Sequence, residues 1–157
     1  MTNPLPQLDR LFLTDGGIET DLLFNRGIDL PSMSAVMLLR TADGRRALEA
    51  YFRPYLDLAA RLGTGFILES ATWRASADWA EEFGITQEEL DDLNRTAIAM
   101  LLELRDEYRG AGSPIVVSGC IGPRGDGYDP GRIMSVDEAE AYHARQASVL
   151  VGAGADM

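Results

Sequence analysis

Between residues 47 and 62, Leu48, Tyr51, Phe52, Tyr55, Leu56, Ala59 and Leu62 recur at three- and four-residue steps. That spacing gathers them on one face of a helix. Pro54 falls inside the pattern and is expected to kink or restart the helix, because it removes a donor and crowds the preceding turn. A second stripe contains Leu90, Leu93, Ala97, Leu101, Leu104 and Tyr108. It opens with Thr86 and Glu89 at capping-box spacing and stops at Gly110. A third helix is expected from Ser135, with Glu138 completing its capping box. It runs through Ala139, Tyr142, Gln146, Ala147 and Leu150 to Gly152.

Between these stripes the pattern changes from helical spacing to short apolar runs. "RLFLTDGG" (Arg10 to Gly17), "GFILESAT" (Gly65 to Thr72) and "PIVVSGCIG" (Pro114 to Gly122) each combine large apolar or β-branched residues with a Gly or Pro boundary. Each reads as a buried strand. Strands alternating with amphipathic helices indicate parallel βαβ units. The strand starts lie about 50 residues apart, which leaves room for extra helices and loops. A fourth strand is due just after Gly154, with "GAGADM" as its entrance. Three such strands leave a long, apolar, unpaired sheet edge. Residues 1–157 therefore read as the front part of a larger α/β fold, truncated or completed by another chain. The alternative is a small three-stranded α/β domain ending in a frayed tail.

Composition narrows the partners. The 157 residues are 46% hydrophobic and 25% charged, a globular balance, and carry a formal charge of −11. That charge argues against nucleic acid and anionic membranes as partners. All 14 basic residues are arginine, so Schiff-base lysine chemistry and a P-loop lysine are excluded. The N-terminal stretch "MTNPLPQLDR" lacks the charged and apolar regions of a signal peptide. No apolar run approaches the roughly 20 residues of a membrane span. Cys120 is the one cysteine and fits a reducing cytoplasm.

In parallel α/β folds ligands sit at the C-terminal ends of the strands. The first strand ends in "TDGG". Asp15 suits an ammonium group, and the N–H groups of Gly16 and Gly17 can receive a carboxylate. Together they could hold both ends of an amino acid, although Asp-Gly pairs also make plain turns. The second strand ends in "ESATWRAS". Thr72 there is either a hydrogen-bonding group of a pocket wall or the cap of the next helix, with Trp73 packed under the loop. The third ends in "SGCIGPRGDGYDPGR", a long shaped loop rich in Gly, Pro and Asp. Its "DGYDPG" lacks the alternating ligands and closing glutamate of a calcium-binding EF-hand loop. Cys120 reads as a small buried strand-end residue and His143 as a packing or surface residue. One Cys and one His cannot supply a zinc site.

The ordered set "LTDGGIETDL" (Leu13 to Leu22), "ESATWRAS" (Glu69 to Ser76), "SGCIGPRGDGY" (Ser118 to Tyr128) and "GAGADM" (Gly152 to Met157) resembles the homocysteine S-methyltransferase family. The resemblance covers the whole chain in order but only the front half of that family's domain. It implies the N-terminal part of a (β/α)8 TIM barrel, incomplete in residues 1–157. It also implies methyl transfer from a small-molecule donor to the thiolate of homocysteine, giving methionine. Within that resemblance Asp15 helps hold the homocysteine ammonium, Gly16 and Gly17 lie near its backbone end, and Thr72 lines the pocket. The family's zinc activates the sulfur, but its cysteine ligands belong to the back half and are absent here. No catalytic or metal-binding residue is therefore assigned, and a fragment of this kind is expected to be inactive alone. The second expectation is a non-catalytic half-barrel that self-associates, or pairs with another chain, through its open sheet edge.

Overall fold

The computed structural model describes residues 6–129, 131 and 133–157. The first five residues of the N-terminal stretch, and Pro130 and Arg132 of the long third loop, lie outside the described residues. The element order is β1 (Phe12–Thr14), α1 (Ile18–Thr20), α2 (Ala42–Leu62), β2 (Gly65–Glu69), α3 (Asp78–Glu82), α4 (Gln87–Glu107), β3 (Ile115–Ser118) and α5 (Val136–Gly152). The strands form one parallel sheet in the order β1-β2-β3, with Leu13 opposite Phe66 and Ile67 opposite Val116. None of the described helices is long and apolar enough to cross a membrane.

The helical periodicity acts as expected. Leu48, Tyr51, Phe52, Leu56 and Ala59 of α2 are all buried, against Phe66 and Leu68 of β2 and Ile98, Leu101 and Leu104 of α4. Each fully buried large apolar side chain contributes about 1.5–3 kcal/mol relative to exposure. A smaller cluster joins Val36, Ala75, Ala80, Leu90 and Leu93 beside it. Thr86 with Glu89, and Ser135 with Glu138, form complete capping boxes at the starts of α4 and α5. At the C-terminus of α2, Gly63 adopts φ 64°, the left-handed turn that closes a helix cheaply only without a Cβ.

Several details differ from the sequence-based expectation. α2 starts earlier, at Ala42, and runs through Pro54 without a break. Pro54 and Ala50 both face solvent, so the carbonyl that loses its helical donor can be hydrated. α4 ends at Glu107 rather than Gly110, which falls in a short 3-10 turn. The strands are shorter than the apolar runs, and the edge strand β1 has only 3 residues. The expected long open edge is thus a short one. After β1 the chain forms α1, continues as a single π turn (Asp21–Asn25), then makes two 3-10 turns (Pro31–Met33 and Ala35–Arg40). No apolar period announces these pieces.

The chain's final residues lie along β3. Asp156 N–H donates to the Val117 carbonyl at 2.8 Å, and Gly119 N–H donates to the Met157 carbonyl at 2.8 Å. The Asp156 carboxylate also accepts from Val117 N–H and from Arg105. The two backbone bonds involve two successive residues, Asp156 as donor and Met157 as acceptor. The described residues contain three strands, and the fourth expected after Gly154 is represented only by these contacts of Asp156 and Met157.

Candidate functional site

The C-terminal ends of all three strands open into one cleft of about 210 Å³. Asp15, Gly16 and Gly17 come from the end of β1, Glu69 and Ser70 from the end of β2, and Cys120 from the end of β3. Ile18 and Glu19 of α1 and Trp73 complete the lining. The cleft is therefore acidic, with three carboxylates and no basic side chain in its wall.

Burial pushes the Asp15 carboxyl up to about 6, and the negative charge of Glu69 adds to this. A 2.9 Å hydrogen bond from the Tyr51 hydroxyl to Asp15 Oδ2 acts the other way. Burial also raises Glu19, while backbone donors and the charge of Arg74 partly offset it. The Cys120 thiol is driven up by burial and then by the carboxylates of Glu69, Glu19 and Asp15. It is held as a neutral thiol, which makes it a poor nucleophile and a poor metal ligand.

Asp15, Gly16 and Gly17 thus meet in the cleft, but Thr72 does not reach it. Thr72 is 0% exposed and stands behind the wall. Its hydroxyl donates to the Cys120 carbonyl at 2.7 Å and lies 2.7 Å from the Ser70 hydroxyl. Since Thr72 has one proton, spent on Cys120, Ser70 must donate to Thr72. Ser70 Oγ in turn accepts from Cys120 N–H at 2.9 Å. This closed ring ties the end of β3 to the end of β2. Nor does Thr72 cap a helix: Ala77 precedes α3 and has no capping side chain. From below, Gln146 of α5 donates to the Thr72 carbonyl, and Asn94 of α4 donates to the Ala75 carbonyl.

Trp73 is wedged between the loops rather than tucked beneath one. A Cβ on Gly122 would lie 2.2 Å from the Trp73 carbonyl, so only glycine allows this approach. The Arg74 guanidinium sits 4.8 Å from the ring centres of both Trp73 and Trp79. It also donates to the Ser32 carbonyl, within the turn where Ser32 and Met33 adopt φ 48° and 50°.

Glu19 and Tyr51 are the site residues that the sequence did not single out. Glu19 follows the glycines at no diagnostic spacing. Tyr51 reads as core, and its phenol, shared with Tyr55 on the same face, does not single it out. His143 packs edge-on against Tyr142, 4.9 Å between centroids, away from the strand ends. In the loop after β3, Asp126 and Asp129 accept from the backbone of Tyr128 and Gly131, as turn residues do. A larger hollow of about 740 Å³ lies over this loop but contains none of the strand-end carboxylates. Among the described residues no three His, Cys, Asp or Glu side chains are grouped to hold a metal ion. The zinc that the resemblance implies thus finds no fitting donor set there.

Two crystal structures of the homocysteine methyltransferase MmuM from Escherichia coli share the fold. The metallated form superposes with a TM-score of 0.71 at 23% identity, over 99% of this chain and 56% of that one. The oxidized form gives 0.76 at 23% identity, over 98% and 53%. The chain therefore spans about half the length of these structures, and its three-stranded sheet corresponds to part of their TIM barrel. Among curated protein sequences none is significantly similar to it. The profile of the homocysteine S-methyltransferase family matches residues 12–157, from the first residue of β1 to the last residue of the chain. The chain belongs to the homocysteine S-methyltransferase family.

Proposed function

We propose that the strand-end cleft binds the amino-acid end of homocysteine and presents its sulfur for methylation to methionine. The observation that carries this reading is the Asp15-Gly16-Gly17 corner, which places a carboxylate held by Tyr51 beside two glycines in the wall of one acidic cleft. Asp15, with Glu69 and Glu19 nearby, attracts the substrate ammonium. The substrate carboxylate would be repelled by those acids anywhere except at the N–H groups of Gly16 and Gly17. The substrate is thereby oriented before any chemistry. Thr72 contributes from behind, by holding Ser70 and the Cys120 backbone in place.

The role of these residues is binding and orientation. The described residues offer no fitting zinc site, so no step is assigned to a metal, and the methyl donor is a second small molecule. A single neutral cysteine suits a reducing, cytoplasmic setting and a place in methionine synthesis. Calorimetric titration of the chain with L-homocysteine tests the reading. Binding should weaken at least tenfold in Asp15→Asn, and 4-mercaptobutyrate, which lacks the amino group, should bind no better than that variant. Equal affinity for the two ligands would refute the assignment of Asp15.

A second reading, a half-barrel that pairs through its sheet edge, is favoured by β1. Among the described residues no strand covers its outer side, and Leu8 and Leu11 beside it are 77% and 68% exposed.

A further inference from the structure

Tyr51 lies on the face of α2 that otherwise buries Leu48, Phe52, Leu56 and Ala59. A phenol there, 0% exposed, must find a partner for its hydroxyl or lose the hydrogen bonds it had in water. Its partner is Asp15 Oδ2, at 2.9 Å and 36 residues away in sequence. We propose that Tyr51 is a positioning residue: its hydroxyl ties down one oxygen of Asp15 and leaves the other to receive the ammonium group of the substrate. This assignment of the second oxygen rests on the homocysteine-binding reading above.

The phenol is well placed to aim a carboxylate. Its ring meets Phe52 edge-on at 5.1 Å and Tyr55 at a tilt at 5.3 Å, and the Arg26 guanidinium covers it at 5.7 Å. Burial and the negative charge of Asp15 push the phenol pKa up, so it is the donor throughout the working pH range. The Tyr55 hydroxyl lies just beneath Gly16, so this aromatic pair supports both the carboxylate and the glycine corner. A backbone hydrogen bond at Asp15 acts in the same direction as the phenol but more weakly, whereas burial and the neighbouring acid oppose ionisation. Glu69 raises its pKa, and Glu19 and Cys120 share the cleft. Arg74 acts on Glu19, and Arg26 lies over the Tyr51 ring. Tyr51 is thus the side chain that keeps Asp15 ionised near neutral pH.

The test uses Tyr51→Phe in the full chain, with circular dichroism to check the fold. In the absence of ligand, the Asp15 carboxyl carbon is titrated by NMR, assigned with Asp15→Asn. The variant should raise the midpoint by about one pH unit. Replacing the tyrosines biosynthetically with 3,5-difluorotyrosine, a stronger donor, should lower it. An unmoved midpoint in both experiments overturns the proposal, whether or not the chain binds homocysteine. The binding arm then tests the orientation of the substrate. Because protonated Asp15 attracts no ammonium, Tyr51→Phe should weaken homocysteine binding about fivefold at pH 6 and less than twofold at pH 8. Equal loss at both pH values would mean that the phenol merely packs. In the Asp15→Asn background, Tyr51→Phe should have no further effect, and an undiminished effect there also overturns the proposal.

Discussion

Asp15 combines partial burial, a like charge at Glu69 and two neutral donors, the Tyr51 hydroxyl and a backbone N–H, and this has a consequence for stability. Its carboxyl titrates near 6 when folded, against an ordinary value of 3.8. Between these values the folded chain binds more protons than the unfolded one, so the contribution of Asp15 is favourable in acid. It is lost as pH rises through about 6. Asp15→Asn, which can still accept from Tyr51, should therefore stabilise the chain by about 1 kcal/mol at pH 7.5, after allowing for solvent screening. The gain should vanish near pH 4. Urea unfolding at both pH values checks this, and a constant difference would contradict it. Thr72 acts on the opposite side of the ledger. Thr72→Val keeps the shape but leaves the Cys120 carbonyl without its side-chain donor, at a cost of about 1–3 kcal/mol in the same assay. No change in stability would show that the Ser70–Thr72–Cys120 ring does not hold the strand ends together.

Elements differ in what holds them. α2 and α4 are fastened by broad apolar faces and tolerate local irregularity, as the unbroken passage through Pro54 shows. The loops after β2 and β3 have few apolar anchors and depend on polar pins and close backbone approach. Gly122 is the tightest of these, with the Trp73 carbonyl and indole both inside the space of a Cβ. Gly122→Ala should push the two loops apart at a cost of about 1–3 kcal/mol. The indole should become more exposed, seen as a red-shifted tryptophan emission. Unchanged emission together with unchanged stability would mean that the loops relax freely.

At the scale of the molecule, the parallel sheet brings three strand ends to one mouth and leaves its two sides unlike. The side of β3 carries Asp156 and Met157, whereas the outer side of β1 has no strand partner among the described residues. Unsatisfied strand edges recruit other chains. Sedimentation velocity should show concentration-dependent self-association, and Leu11→Lys, a charge beside that edge, should shift it toward monomer. A chain that is monomeric at every concentration would rule out pairing through β1.

The local patterns in the sequence determined the local structure. Apolar periods marked α2, α4 and α5, Ser and Thr with Glu three residues on marked two helix starts, and short β-branched runs marked the strands. Those signals are legible because burial of a helix face or a strand repeats at a fixed step along the chain. The strand-end clusters of glycine and acid also marked where a ligand corner would lie. Only the tertiary structure decided that Tyr51 meets Asp15, that Glu19 joins Glu69 and Cys120 in one wall, and that Thr72 stands behind that wall. Those neighbours are set by how helices pack on the sheet, across separations that leave no period in the sequence. A buried phenol or hydroxyl reveals its role only when its hydrogen-bonding partner is in place.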